Sequence, residues 1–312
     1  MVIEDIEPLI ALAEQNDLQA IENLTMEVPR VQNRALNFRS ALMVSAHNVK
    51  HLNKLDTLSA GCAIINLEDG VAREKKPLAL RLAALFISRL PTCEKKLVVR
   101  VNALDEGGEE EILYLNKVKP DAIRVPKIRN EQDVFRALRL VDEDIELHLS
   151  IETAQSWLNL KSLRVDERVN VFYLGILDLL ADLHLPQSIL DPNNSTIHSI
   201  LSEFLLTSSA LGVKPVSFVY QYYQNMNAFE EWLELEEKMG FLSKGCVSPS
   251  QVERANEVFG ISRAALLEAH YIIEEFEKNV KSGVSGFKDE KLGFIDEPIY
   301  KGALALLRGL DA

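Results

Sequence analysis

Basic residues are scarce in this chain of 312 residues, where 34 lysines and arginines stand against 47 aspartates and glutamates for a formal net charge of -13. Nucleic acids and anionic membranes repel such a surface at long range, which argues against unspecific binding to either, and no nucleic-acid or membrane partner is expected. An anionic small molecule would need a locally basic pocket. Cysteine is rarer still: Cys62, Cys93 and Cys246 are odd in number and scattered, with no CxxC pair and no zinc spacing. They read as reduced thiols, with the cytoplasm as the expected compartment. No stretch approaches the roughly 18 uncharged apolar residues of a membrane span. The acidic start Met1-Val2-Ile3-Glu4-Asp5 lacks the basic and apolar regions of a secretory leader.

Several catalytic signatures are also missing. There is no HExxH pair, no GxSxG elbow and no Gly-rich phosphate turn after an early strand. These absences weigh against a zinc hydrolase, a nucleophilic acyl-transfer enzyme and an open doubly wound nucleotide-binding sheet. His47 and His51, one helical turn apart, read as a solvated pair, and Arg73-Glu74-Lys75-Lys76 reads as a solvated helix start.

What the chain does have is apolar content, 47% of its residues, enough for one large domain. The first thirty or so residues show helical spacing, with Ile6, Leu9, Ile10 and Leu12 and then Leu18, Ile21 and Leu24, as far as Pro29. They are expected to form a helical extension over residues 1–35. Short apolar runs follow at regular intervals: 41–44, 63–67, 97–101, 122–125, 145–149, 169–174, 216–219 and 246–247. Between them lie amphipathic segments such as Pro77 to Ile87, Glu131 to Leu140, Thr196 to Leu211 and Ala228 to Met239. Strands and helices alternating to a count of about eight predict an α/β fold, a closed (β/α)8 TIM barrel, over residues 36–258. Beyond the last strand, helices are expected over Ser250 to Phe259 and Ser262 to Asn279, then a Gly-containing loop from Lys281 to Gly293 and a last helix through Leu306, with residues 259–312 as a C-terminal helical segment.

A parallel barrel builds its site at the C-terminal ends of its strands. Here those ends carry Glu68-Asp69-Gly70, Arg100 with Asn102, Pro126-Lys127, Glu152-Thr153, Gly175 followed by Asp178, and Ser248-Pro249. Acids, cations and an amide converging on one rim are costly to assemble unless they bind one another, a metal or a charged substrate. Glu152 and Asp178 follow adjacent strands, so they offer two hard oxygen ligands of the kind magnesium favours, although each could instead cap the helix after it. Arg100 lies inside an apolar run, where its natural partner is a carboxylate, from Glu68 or from a substrate held bidentately.

In order and spacing these strand ends resemble the citrate lyase beta subunit and malyl-coenzyme A lyase family of magnesium-dependent barrel aldolases. The resemblance runs through Phe38-Arg39-Ser40, Leu67-Glu68-Asp69-Gly70, Val99-Arg100-Val101-Asn102, Arg124-Val125-Pro126-Lys127, Ile151-Glu152-Thr153, Gly175-Ile176-Leu177-Asp178, Ser248-Pro249-Ser250-Gln251 and Ile295-Asp296-Glu297-Pro298. It implies Glu152 and Asp178 as magnesium ligands and Arg100, Asp296 and Glu68 as catalytic residues, with Asp296 supplied by a neighbouring subunit of a homotrimer or homohexamer. Substrate contacts would come from Arg100, Asn102, Gly175, Lys127, Asp69 and Arg39. The implied reaction is reversible cleavage of a carbon–carbon bond in a short oxo- or hydroxy-dicarboxylic acid or its CoA thioester.

The chain also departs from the family pattern, at Ser45-Ala46, Asn66, Leu177 and Ser248, and at Ser217 and Tyr222 around the seventh strand. Those departures motivate a second expectation, a ligand-binding or scaffold protein that keeps the barrel and metal site without turnover. A phosphate-metabolite isomerase would need a Gly-rich loop where Tyr220-Gln221-Tyr222-Tyr223 stands.

Overall fold

A computed structural model describes residues 1–26, 30–260, 263–281, 283 and 285–311. Two helices, α1 (Glu7–Glu14) and α2 (Leu18–Asn23), come first. Eight strands then follow: β1 (Ser40–Ser45), β2 (Cys62–Asn66), β3 (Lys96–Arg100), β4 (Ala122–Val125), β5 (Glu146–Ile151), β6 (Val169–Leu174), β7 (Lys214–Val216) and β8 (Lys244–Cys246). They form one parallel sheet in the order β7-β6-β5-β4-β3-β2-β1-β8. A single bridge between Ser217 and Lys244 joins its two ends, with the Ser217 amide donating to Ser243 O at 3.0 Å and the Gly245 amide to Ser217 O at 2.9 Å. The sheet is therefore a closed (β/α)8 barrel.

The apolar runs become strands because β-branched residues pack well on a pleated surface, and burial on both faces removes any need for alternation. β2, β3, β4 and β5 are buried at every position. The helices between them bear their apolar stripes on the sheet, most completely in α4 (Lys76–Ser88), which buries ten consecutive-turn positions including Leu82, Leu85 and Phe86. Both N-terminal helices join this core through Leu9, Ala13 and Ile21.

Beyond α2 the chain is anchored by a buried ion pair. Arg30 Nη1 and Nη2 donate to Asp121 Oδ1 and Oδ2 at 2.6 and 3.0 Å, and Asp121 also accepts the amides of Asn33 and Leu97, each at 2.6 Å. One carboxylate at the foot of β4 thus ties the N-terminal arm to β3. Pro29, the expected end of the helical extension, lies outside the described residues, as does Ser262.

The chain divides into two compact units, residues 1–34 with 38–259 and residues 35–37 with 260–312. In the second, α12 (Arg263–Lys281) and α13 (Glu297–Asp311) enclose Ile272, Phe276, Ile295 and Ala303, with Phe276 stacked on Tyr300 at 4.4 Å between centroids. The segment expected as a loop from Lys281 to Gly293 instead contains a β-hairpin, β9 (Gly286–Asp289) paired with β10 (Gly293–Asp296). Its turn is local chemistry: Asp289 Oδ1 accepts the amides of Lys291 and Leu292 at 2.9 and 2.8 Å, and Gly293 takes φ +84°. With so few apolar positions, the pairing left no strand-like run to read.

Removing the carboxylate at position 121 leaves Arg30 buried and unpaired. Asp121→Ala is expected to lower stability by about 3–5 kcal/mol, measured as the shift of the urea unfolding midpoint at unchanged slope.

Candidate active site

At the C-terminal end of the barrel a cavity of about 390 Å³ opens among Asn66, Asp69, Arg100, Arg124, Glu152, Gly175 and Asp178, closed on the other side by Phe218, Val219 and Tyr223. That volume suits a small acid. Six of these residues come from strands β2 to β6 or the turns that follow them, so the strand ends do converge.

Arg100 is the hub. Its Nη2 contacts Glu68 Oε2 and lies 3.4 Å from Asp69 Oδ2 and 3.7 Å from Glu152 Oε2. Lys127 adds a second cation, with Nζ 3.5 Å from Glu68 Oε1. Burial pushes the Glu68 carboxyl up to about 7; Arg100 pulls it down, but Asp69 and Glu152 add to the rise. Asp69 is held below the usual range, since its hydrogen bond with Glu68 and the charges of Arg100 and Lys127 outweigh its partial burial.

Glu152 is buried and oriented from the backbone. Its Oε1 accepts the Lys127 amide at 2.8 Å, and Lys127 turns that amide inward by adopting φ +53°, a left-handed conformation uncommon for a lysine. Gly175 makes the room: a Cβ there would stand 2.6 Å from both Cβ and Oε2 of Glu152. Asp178 follows in the first turn of the helix Ile176–Asp182. Partial burial, with the charges of Glu152 and Asp69 beside it, raises its carboxyl above the usual range.

Helix capping does not account for either acid. Thr153 caps the helix after Glu152 by accepting the Ser156 amide, and the helix carrying Asp178 has no side-chain cap. Two acids of like charge, Glu152 and Asp178, beside one cavity favour a cation between them. Among the described residues no group of three or more His, Cys, Asp or Glu is arranged to hold a metal. A two-carboxylate set fits magnesium, which keeps several waters and takes its remaining oxygens from substrate.

Two of the other expected residues, Asn102 and Arg39, lie elsewhere in the barrel. Asn102 is buried but turned away from the cavity: its amide donates to Glu111 Oε2 at 2.8 Å and its side chain contacts Glu111 and Lys76. It closes the loop after β3 and positions α5 (Gly108–Leu115). Arg39 precedes β1, at the N-terminal end of the barrel, where Nη1 donates to Asn256 O at 3.2 Å. It is remote from this rim because the site lies at the far ends of the same strands. Asp296 belongs to the C-terminal unit, where Oδ1 accepts the Ile299 amide at 3.2 Å and caps α13.

The departures from the family pattern have local uses. Asn66 braces the turn after β2 through the Glu68 amide and Asp69 O, Ser248 caps the helix Pro249–Val258, and Ser217 donates to the buried Glu236 at 2.6 Å.

Sequence reasoning passed over Arg124. It lies inside a buried four-residue strand, which is the same signal that singled out Arg100, and it lines the cavity. Burial and the neighbouring Arg100 lower its guanidinium to about 10, so it stays charged at neutral pH.

Residues 39–249 match the HpcH/HpaI aldolase/citrate lyase family. The chain belongs to that family. Its carbon–carbon lyases include the mitochondrial citramalyl-CoA lyase of Rattus norvegicus, 26% identical over 287 residues, covering 85% of this chain and 83% of that one. A (3S)-malyl-CoA thioesterase of Cereibacter sphaeroides is 31% identical over 247 residues, covering 79% of this chain and 85% of that one. Among solved structures, CitE from Mycobacterium tuberculosis in complex with magnesium, acetoacetate and coenzyme A superposes with a TM-score of 0.69 at 21% identity, over 88% of this chain and 98% of that one. The citrate lyase beta subunit of the same organism, complexed with oxaloacetate and magnesium, gives 0.61 at 21% identity, over 72% and 97%.

Because a Cβ at position 175 would stand 2.6 Å from the Cβ of Glu152 as well as from its carboxylate, Gly175→Ala is expected to cost about 1–3 kcal/mol by urea denaturation. Gly302→Ala, in open space on α13, serves as the control and is expected to be neutral or slightly stabilising.

Proposed function

We propose that this member of the family is a magnesium-dependent carbon–carbon lyase acting on a short oxo- or hydroxy-dicarboxylic acid or its CoA thioester. The observation that carries the reading is Glu152 and Asp178 at one cavity beside Arg100, with neither acid used as a helix cap. Magnesium bound to these two carboxylates would polarise the oxo oxygen of the substrate. The remaining work falls to the chain's own groups. Arg100 holds a substrate carboxylate while Glu68, with Lys127 behind it, fixes the guanidinium. Gly175 and the Lys127 amide keep Glu152 in place.

In the cleavage direction a base takes the substrate's hydroxyl proton, the carbon–carbon bond breaks to give the oxo-acid, and its electron pair leaves on the acyl half as an enolate. A proton delivered to that carbon completes the step. Asp296 is our candidate for the acid/base, contributed by a neighbouring subunit of a homotrimer or homohexamer. Supporting this, Asp296 Oδ2 makes no hydrogen bond among the described residues. The malyl-CoA and CoA-bound relatives support a thioester as the acyl half. The unpaired thiols Cys62, Cys93 and Cys246 support a reducing, cytoplasmic setting, and no helix among the described residues is long and apolar enough to cross a membrane.

Magnesium with oxaloacetate is expected to raise the melting temperature, by an amount corresponding to about 2.7 kcal/mol at a hundred times Kd. Glu152→Ala and Asp178→Ala should each abolish that shift, and a wild-type protein indifferent to every small oxo-acid would contradict the proposal. Retro-aldol turnover should fall by about 10²-fold or more in Asp296→Asn. An intact magnesium-dependent shift with no turnover in wild type would instead establish the ligand-binding alternative.

A further inference from the structure

The cavity holds two buried guanidiniums whose surroundings differ. Arg100 is enclosed by Glu68, Asp69 and Glu152. Arg124 is just as buried, yet it makes no ion pair among the described residues. Its Nε donates to Ser150 Oγ at 2.8 Å, and its guanidinium carbon lies 4.1 Å above the Tyr173 ring. Those contacts use one donor and one face, whereas a guanidinium carries five donors in a planar fork. An arginine buried without an anion is costly, so a partner from outside the chain is the natural completion.

The fork is also held rigid. The Tyr173 hydroxyl is 3.2 Å from His148 Nδ1, His148 Nε2 is 3.1 Å from Glu146 Oε2, and Glu146 pairs with Lys96 at 2.9 Å. All four side chains are buried. Tyr173 also reaches Cys62 at 3.9 Å, from β6 to β2, so this chain of contacts crosses the barrel interior beneath the cavity. It fixes the ring, and the ring fixes the plane of the guanidinium. A rigid planar fork on a cavity wall matches a carboxylate better than a spherical or apolar group.

We propose that Arg124 receives a second carboxylate of the substrate, so that the oxo-acid half handled by this enzyme is a dicarboxylate rather than a monocarboxylate. The inference rests on the lyase reading above, in which Glu152, Asp178 and Arg100 hold the oxo-acid end. Glu68, Asp69, Glu152 and Asp178 make the rest of the rim acidic, so a second anionic group has no other buried cation to meet: Lys127 is solvent-exposed and directed to Glu68.

The test is calorimetric titration of the magnesium-loaded full chain with oxaloacetate and with pyruvate, which differ by one carboxylate. Wild type should bind oxaloacetate about tenfold to a hundredfold more tightly, the range of a charge-assisted bidentate contact. Arg124→Gln should reduce that preference to about threefold or less, and Arg124→Lys should leave an intermediate value because a point charge replaces the fork. Equal affinities in wild type, or a preference that survives Arg124→Gln, would overturn the assignment. Should the Gln variant fail to fold, the wild-type preference and its fall in Arg124→Lys decide the matter. If both acids bind through magnesium and only the preference is missing, the Arg124 assignment fails alone. If neither acid binds and Glu152→Gln changes nothing, the lyase reading fails and takes this inference with it.

Discussion

The site is organised around one guanidinium. Arg100 sits at the end of β3 among three carboxylates, and every other acid on the rim takes its place relative to that charge. Without it, Glu68 and Glu152 would be two buried like charges side by side, with Lys127 as the remaining cation beside Glu68. Arg100 offsets only part of the cost of burying Glu68, whose proton affinity stays raised. The chain is acidic overall, so this local cluster of cations, and not its net charge, is what admits an anionic substrate.

The barrel supplies that arrangement cheaply because parallel strands deliver consecutive C-terminal ends to one rim. Less usual is what lies beneath. Lys96, Glu146, His148 and Tyr173 fill the interior with a hydrogen-bonded polar chain where branched aliphatic side chains would ordinarily stack. Each member is buried and each has a partner, which is the condition under which a polar interior specifies one geometry. The floor of the site is therefore rigid and its charge state is set by burial, which holds His148 below the usual histidine range.

Much of this was legible in the sequence. Apolar runs of four to six residues marked the first seven strands, and β4 and β6 fall on their expected residues, because buried parallel strands have no alternation to obscure them. Glu152 and Asp178 could be placed side by side by counting strands alone. Position along a strand was harder to read. Arg39 belongs to a recognisable motif, but it precedes its strand and so faces the other end of the barrel. Asn102 follows its strand, yet its side chain is claimed by Glu111, a residue nine positions onward that no strand-end count includes. Arg124 carried the same signal as Arg100, a cation inside an apolar run, but nothing in a linear sequence tells a paired buried arginine from an unpaired one. The hairpin Gly286–Asp296 depends on an Asp289 turn and not on apolar periodicity.

The closure of the barrel at a single bridge has a mechanical consequence. Strands β2 to β6, which carry the charged residues, are joined to their neighbours by runs of three to five paired residues. The opposite wall, with Phe218, Val219 and Tyr223, follows β7, a strand of three residues that meets β8 only at Ser217 and Lys244. Stiffness in a sheet tracks the number of paired backbone groups, so compliance concentrates along this seam. The charged half of the cavity thus stands on the continuously paired strands, and the apolar half stands beside the least paired seam of the barrel.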